Sequence, residues 1–195
     1  MSANATVMPP APVDSEQTPQ SRSLAALVDE LRGLAAVPSL EKLDSLLEGV
    51  QLSEEDLRPY RSFKAGNYAR HRVFRNAHVE LLVLCWRPGQ RTPIHDHNGS
   101  HGAVRVCEGV MWETIFEQDA QSQLRYKSAR QWLTGGVTGA EVPDIHQLGN
   151  PDVSGQDMVT LHLYAPPLGV LNTYKVGSAE VGRYSLDQFI DGAGI

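Results

Sequence analysis

From about residue 66 onward the apolar positions of this chain stop recurring at helical spacing and gather into short runs. These are "VELLVLCW", "GAVRVCEGVMWETIF", "QLRYKSARQWL", "DMVTLHLYA" and "VLNTYKV". Each is rich in β-branched and aromatic residues and is bounded by Gly, Pro, Asn or Asp, which favour turns. Strands this closely spaced leave no room for the crossover helices that a parallel sheet requires. The pattern therefore predicts an antiparallel sandwich or barrel.

Ahead of that body the periodicity is helical. Leu24, Leu27, Val28, Leu31 and Leu34 share one face, with Ser23 placed to cap the first turn. Leu40, Leu43, Leu46, Leu47 and Val50 form a second stripe behind Ser39, and "SEED" at Ser53–Asp56 has the form of a capping box. The leucines are read as core packing. Residues 1–22, rich in Pro, Ser, Ala and Gln, predict an unstructured lead-in. The remainder, 23–195, is expected to be one domain, with a helical cap over about 23–60 and a β body over about 66–180.

Charge and composition exclude several function classes. The 195 residues carry a net charge of -6 with no basic run, which argues against a nucleic-acid partner. No apolar run reaches the roughly 20 residues of a membrane helix, and the N-terminus lacks the charged start and apolar stretch of a secretory signal. Cys85 and Cys107, without ligand spacing between them, are expected to be buried, reduced thiols of a cytoplasmic protein.

The chemistry concentrates in "PIHDHNGSHGAV". His95 and His97 stand two apart, so in extended chain both imidazoles leave the same face. Turn residues on either side put the pair near a strand end, where it forms half of a metal site. Further on, Thr160, His162 and Tyr164 alternate along "VTLHLY" and also face one way, so a hydroxyl, an imidazole and a phenol can bond in series.

The spacing Gly89, His95, His97, position 102 and Gly109 resembles the first motif of the cupin superfamily. "PDIHQLGN", with Pro143, His146 and Asn150, resembles the second, although its Pro-to-His interval is shorter than usual. Cupins are double-sheet jelly-roll barrels, so the resemblance implies a mainly β fold with a helical N-terminal region. Where the cupin carboxylate would sit the residue is Gly102, which ligates nothing. His95, His97 and His146 remain as a three-imidazole set, a donor type that suits Fe(II) and also zinc.

Over about residues 60–180, "CWRPGQRTPIHDHNGSHGAV", "DIHQLGN" and "VTLHLYAPPLG" are similar to the thiol dioxygenases, and most similar to the cysteine dioxygenases. The resemblance implies Fe(II) on His95, His97 and His146, and a small-molecule thiol and O₂ as reactants. L-cysteine would be converted to cysteine sulfinic acid. It also implies a catalytic outer-shell triad of Thr160, His162 and Tyr164, with Thr in place of the usual Ser. Arg70 in "NYARH" falls where the family holds the substrate carboxylate, and Tyr68 would line the same side. Enzymes acting on 3-mercaptopropionate carry Gln at that position, so Arg70 favours cysteine. The rival readings are a 3-mercaptopropionate or cysteamine dioxygenase, or a metal-binding cupin without redox chemistry. Mammalian members join a cysteine at position 102 to the tyrosine matching Tyr164; with Gly102 no thioether can form. His101 is expected to pack rather than ligate, His71 and His78 to lie at the surface without partners, and "APPLG" to contain a cis proline.

Overall fold

A computed structural model describes residues 21–140 and 144–186 of the chain. Residues 1–20 of the expected lead-in, and Pro143 of the second motif, lie outside them. Three helices come first: α1 (Leu24–Arg32), α2 (Leu40–Glu48) and α3 (Glu54–Leu57). Each begins at the serine expected of it. Ser23 Oγ accepts from Ala26 N at 3.3 Å, and Ser39 Oγ accepts from Lys42 N at 3.3 Å. Ser53 and Asp56 exchange side chain-to-backbone bonds of 3.1 and 2.9 Å in a full capping box.

The strands are β1 (Ala69–Arg75), β2 (Glu80–Trp86), β3 (Ile94–Asp96), β4 (His101–Glu108), β5 (Val110–Gln118), β6 (Leu124–Leu133), β7 (Val137–Ala140), β8 (Ile145–Gly149), β9 (Met158–Ala165), β10 (Val170–Tyr174) and β11 (Gly182–Ser185). They form two antiparallel sheets, in the orders β1-β2-β9-β4-β7 and β11-β10-β3-β8-β5-β6. One apolar cluster joins Leu82, Leu84, Val104 and Met158 of the five-stranded sheet to Met111, Leu148 and Leu171 of the six-stranded sheet. This is the interior of a double-sheet antiparallel sandwich.

A second cluster lies on the other face of the five-stranded sheet. Leu81, Val83, Leu161 and Leu163 pack there against Leu27, Leu31, Leu43, Leu46 and Leu47 of the helices. Both faces of β2 and β9 are therefore covered; β2 is accordingly a nearly unbroken apolar run, while β9 turns Leu161 and Leu163 to the helices and Thr160, His162 and Tyr164 to the interior. The outer face of β6 is open to solvent and correspondingly polar. Arg105 on β4 ties the layers together. Its guanidinium donates to the Leu47 and Glu48 carbonyls at the end of α2, at 3.3 and 3.4 Å, and to the Gly135 carbonyl at 3.0 Å.

Some expectations need correction. The run "GAVRVCEGVMWETIF" is two strands, parted at Gly109 so that β4 and β5 belong to different sheets. Gly109 has φ +80°, and a Cβ there would stand 2.8 Å from the Asp157 carbonyl, so only glycine turns this corner. The β body extends past residue 180, because β11 pairs with β10. Arg22 is bound at the lead-in's end, donating its backbone N–H to Gly49 at 2.8 Å. His71 is half-buried and has a partner, Ser62 Oγ at 3.0 Å; His78 is half-buried as well. Both cysteines are free, but only Cys85 is fully buried. Burial pushes both thiols up, Cys85 to about 11 and Cys107 to about 12, so neither forms a thiolate at neutral pH. The Ala165–Pro166 bond is cis. Among the described residues no helix is long and apolar enough to cross a membrane.

Leu47 is fully buried where α2 meets the five-stranded sheet. Leu47→Ala is expected to cost roughly 2–5 kcal/mol of stability in urea unfolding, through lost transfer energy and the cavity left behind. Val153→Ala, at a side chain that is 93% exposed, is the control and should change little.

Candidate active site

His95 on β3 lies directly opposite His146 on β8, the one registered pair between those strands. His97 follows two residues after His95 and turns its ring to the same side, as strand alternation requires. The ring centroids are 4.8 Å apart for His95–His146, 4.9 Å for His97–His146 and 5.3 Å for His95–His97. One nitrogen from each ring falls within 4.8 Å of the others, and all three residues are buried.

The outward nitrogens fix which way the inward ones face. His95 Nδ1 donates to the Pro93 carbonyl at 2.9 Å, which leaves its Nε2 as a lone pair. His146 Nδ1 is flanked by two carboxylates, Asp144 at 3.1 Å and Glu113 at 3.3 Å. Its Nε2 then points inward and stands 3.3 Å from Nε2 of His97. Two acceptor nitrogens that close, in a dry interior, repel unless a cation or proton lies between them. Burial, reinforced by the neighbouring imidazoles, drives His95 down to about 3 and His97 well below its ordinary value. Both are neutral at physiological pH. Converging neutral nitrogens with backing carboxylates are the donor set of a transition metal, and the residues present fit one.

Three residues that support this geometry are not marked by the sequence pattern: Asp144, Glu113 and Asp96. Glu113 on β5 is buried and accepts from Trp132 Nε1 at 2.9 Å as well as from His146. Burial opposes its ionisation, but the bonds from His146 and Trp132 and the charge of Arg130 outweigh it, so its pKa is lowered. The available signal was a lone carboxylate at an inward position of an alternating strand, beside Met111. Asp96, between the two histidines, points the other way and anchors their loop. It accepts from Tyr174 Oη at 2.6 Å, Asn172 Nδ2 at 3.0 Å and the Asn98 backbone at 2.8 Å.

The five-stranded sheet supplies the opposite wall. Thr160, His162 and Tyr164 project from β9 into the interior, with Thr160 Oγ 2.8 Å from His162 Nε2 and His162 Nδ1 3.0 Å from Tyr164 Oη. Burial lowers the His162 pKa far and raises that of Tyr164 beyond the usual phenol range, so both are neutral. The Tyr164 ring meets His97 edge-on at 5.3 Å. Arg70 on β1 is only 8% exposed, and no acidic side chain among the described residues pairs with it. Tyr68, Arg70, His95, His162 and Tyr164 line one narrow cavity, closed on the apolar side by Leu148 and Leu168. Gly102 sits across from Tyr164 on β4, where an added Cβ would lie 3.0 Å from Tyr164 Cε1 and 3.1 Å from His97 Cε1. His101 is half-buried, with Nδ1 unpartnered among the described residues and no place in the histidine cluster.

The sequence model described as "Cysteine dioxygenase type I" matches residues 13–176. The chain belongs to the cysteine dioxygenase family. Curated members similar to it include cysteine dioxygenase type 1 of Rattus norvegicus and of Homo sapiens, each 29% identical over 160 residues, or 78% of this chain and 79% of the relative. That of Danio rerio is 29% identical over 141 residues, 70% of either chain. Among solved structures, a Klebsiella pneumoniae protein with a double-stranded β-helix domain is 17% identical and superposes with a TM-score of 0.45, over 66% of this chain and 94% of that one. Membership makes this chain an oxygenase acting on thiols, with a metal cofactor, a small-molecule substrate and O₂.

Removing a carboxylate behind a ligating histidine costs a metal site roughly 10- to 100-fold in affinity. Glu113→Gln should weaken Co(II) binding by that order in a chelator competition, while His146→Ala should abolish stoichiometric binding.

Proposed function

We propose that this enzyme converts L-cysteine and O₂ to cysteine sulfinic acid, at an Fe(II) ion held by His95, His97 and His146. The observation that carries this reading is a buried cluster of three histidines, of which His95 shares a narrow cavity with the buried guanidinium of Arg70, for which no acidic partner lies among the described residues. Three neutral ligands leave the ion's positive charge undiminished, which favours an anionic thiolate partner and deprotonates the thiol that binds. The iron supplies the redox chemistry by which both atoms of O₂ are joined to that sulfur. A thiolate plus O₂ equals a sulfinate, so no outside reductant enters the balance.

The protein's own side chains position the reactants. Arg70 holds the substrate carboxylate through its planar fork, and its burial strengthens that ion pair over one made in water. Tyr68 closes the wall beside it. Tyr164, backed by His162 and Thr160, offers a hydrogen bond where sulfur and oxygen meet. Leu148 and Leu168 exclude water from the site. Cysteine carries the carboxylate that Arg70 calls for, whereas cysteamine has none.

Anaerobic loading with Fe(II), followed by oxygen uptake with cysteine and identification of the product, tests the assignment. Sulfinate formed at one equivalent per O₂ is the expected result. Faster uptake with 3-mercaptopropionate than with cysteine would reassign the substrate. Arg70→Ala should raise KM for cysteine on the order of 10²-fold, consistent with removing a buried charge-assisted pair; unchanged cysteine kinetics would take Arg70 out of that role.

A further inference from the structure

Three arginines of β1, Arg70, Arg72 and Arg75, share the side of the strand that faces the site, and one acid of β2, Glu80, stands among them. Arg70 and Arg72 lie opposite Leu84 and Leu82, whose side chains belong to the interior cluster, so strand alternation turns both guanidiniums inward. A bulge at Val73 then shifts the register. Val73 and Phe74 both pack on the helical side, and Arg75 returns to the inner side opposite Glu80. Glu80 is registered with Tyr164, two positions before Leu82 and on the same inner face. Its carboxylate, 3% exposed, accepts through one oxygen from Arg72 Nε at 2.9 Å and from Arg75 Nη1 at 3.5 Å. We propose that Arg72 and Arg75 neutralise Glu80, so that Arg70 remains the unopposed charge of the cavity and selects thiols that carry a carboxylate. The inference rests on the reading of Arg70 as the carboxylate site, and deepens it to the residues that keep that site cationic.

A charge in a dry interior is screened far less than one at the surface. Glu80 stands beside Tyr164, and its charge bears on that phenol. Burial raises the Tyr164 pKa most, Arg70 lowers it, and Tyr68 and Glu80 raise it further. Arg70 and Glu80 thus act on the same corner of the cavity with opposite sign. Left alone, Glu80 would oppose the anion that Arg70 attracts, and a buried carboxylate without a cation is itself costly. Arg72 and Arg75 meet both difficulties. Their side chains are 25% and 34% exposed, so the counter-charge comes from the rim and is not drawn from the cavity. Arg70, more deeply buried, keeps no acidic partner among the described residues. Three guanidiniums against one carboxylate leave this wall positive in a chain whose net charge is -6. The bulge is part of the device: without it, alternation would send Arg75 to the helical side. Arg72 and Arg75 are thus positioning residues, acting on the substrate through the charge of Glu80.

Propionate, a carboxylate without a thiol, probes Arg70 directly. Titrated into the metal-free full chain labelled with ¹⁵N-arginine, it should shift the Arg70 side-chain resonance. In Arg72→Met the propionate affinity should fall roughly tenfold, the order expected of an unneutralised charge within about 10 Å at an effective dielectric constant near 20. Adding Glu80→Gln should restore the affinity to within about twofold of wild type, because the opposing charge is gone. In the iron-loaded enzyme KM for cysteine should follow the same pattern, rising roughly tenfold in Arg72→Met and recovering in Arg72→Met/Glu80→Gln, with kcat little changed. An unchanged affinity in folded Arg72→Met overturns the proposal. So does a loss that Glu80→Gln fails to reverse, since a merely structural defect would persist. Should Arg72→Met not fold, Arg75→Met takes its place at the longer and more exposed contact. A fall of about threefold, cancelled by Glu80→Gln, is then expected, and no fall overturns the proposal. If propionate leaves Arg70 undisturbed in every form, the carboxylate role of Arg70 fails and the proposal with it. If propionate behaves as expected while no thiol is oxidised, only the dioxygenase reading fails.

Discussion

Three imidazole lone pairs meeting in a dry interior are an arrangement that repels itself, and much of this fold can be understood as the means of holding it in place. The antiparallel register that sets His95 opposite His146 fixes two of the rings, and strand alternation delivers the third from His97. Register errors are costly here, since a shift by one residue would turn His95 outward and Asp96 inward. Asp96 resists that slip. Bound to Tyr174, Asn172 and the Asn98 backbone, it locks the short β3 strand to β10 on the side away from the site. Behind His146, Glu113 and Asp144 compete for a single Nδ1 hydrogen, which holds that ring with its other nitrogen inward.

The two sheets divide the chemistry between them. The six-stranded sheet holds the histidine cluster and the carboxylates behind it, while the five-stranded sheet holds Arg70, Trp86 and the polar row of β9. The reacting space is the gap between the sheets, so its width depends on how rigidly they are spaced. On the outside, the helical cap covers β2 and β9, leaving the central strands no freedom to bow away from the site. Arg105 pins α2 to β4 in the same layer that carries Gly102. The leucine stripes are remote from any chemistry, yet they stiffen the wall that presents Tyr164.

Much of this was legible from residue spacing. The serine caps, the leucine faces and the long strands β2 and β9 follow from local rules, because those segments bury enough surface to show a clear pattern. β3 and β7 are too short for any period to appear, and β1, "ARHRVFR", carries its charges on a strand at the sheet edge. The strand break at Gly109 depends on a close approach to Asp157 from a distant segment, which no local pattern records. His95, His97 and His146 were readable as a set only through their likeness to a known motif, since 49 residues separate His97 from His146. Glu113 stayed hidden because a glutamate on a half-polar strand reads as solvated until the sheet facing it is known.

Gly102 connects the two halves of the site. A side chain there would press on both the Tyr164 ring and His97, at 3.0 and 3.1 Å, so the glycine lets the phenol and the imidazole pack edge to edge. It also removes any atom that could fasten the tyrosine covalently from β4. The phenol of Tyr164 is held instead by His162 and by edge contact with His97. A hydrogen-bonded phenol can rotate or lose its direction in a way that a tethered one cannot. In this chain, therefore, the accuracy with which Tyr164 is aimed depends on the hydrogen bonds behind it, from His162 to Thr160.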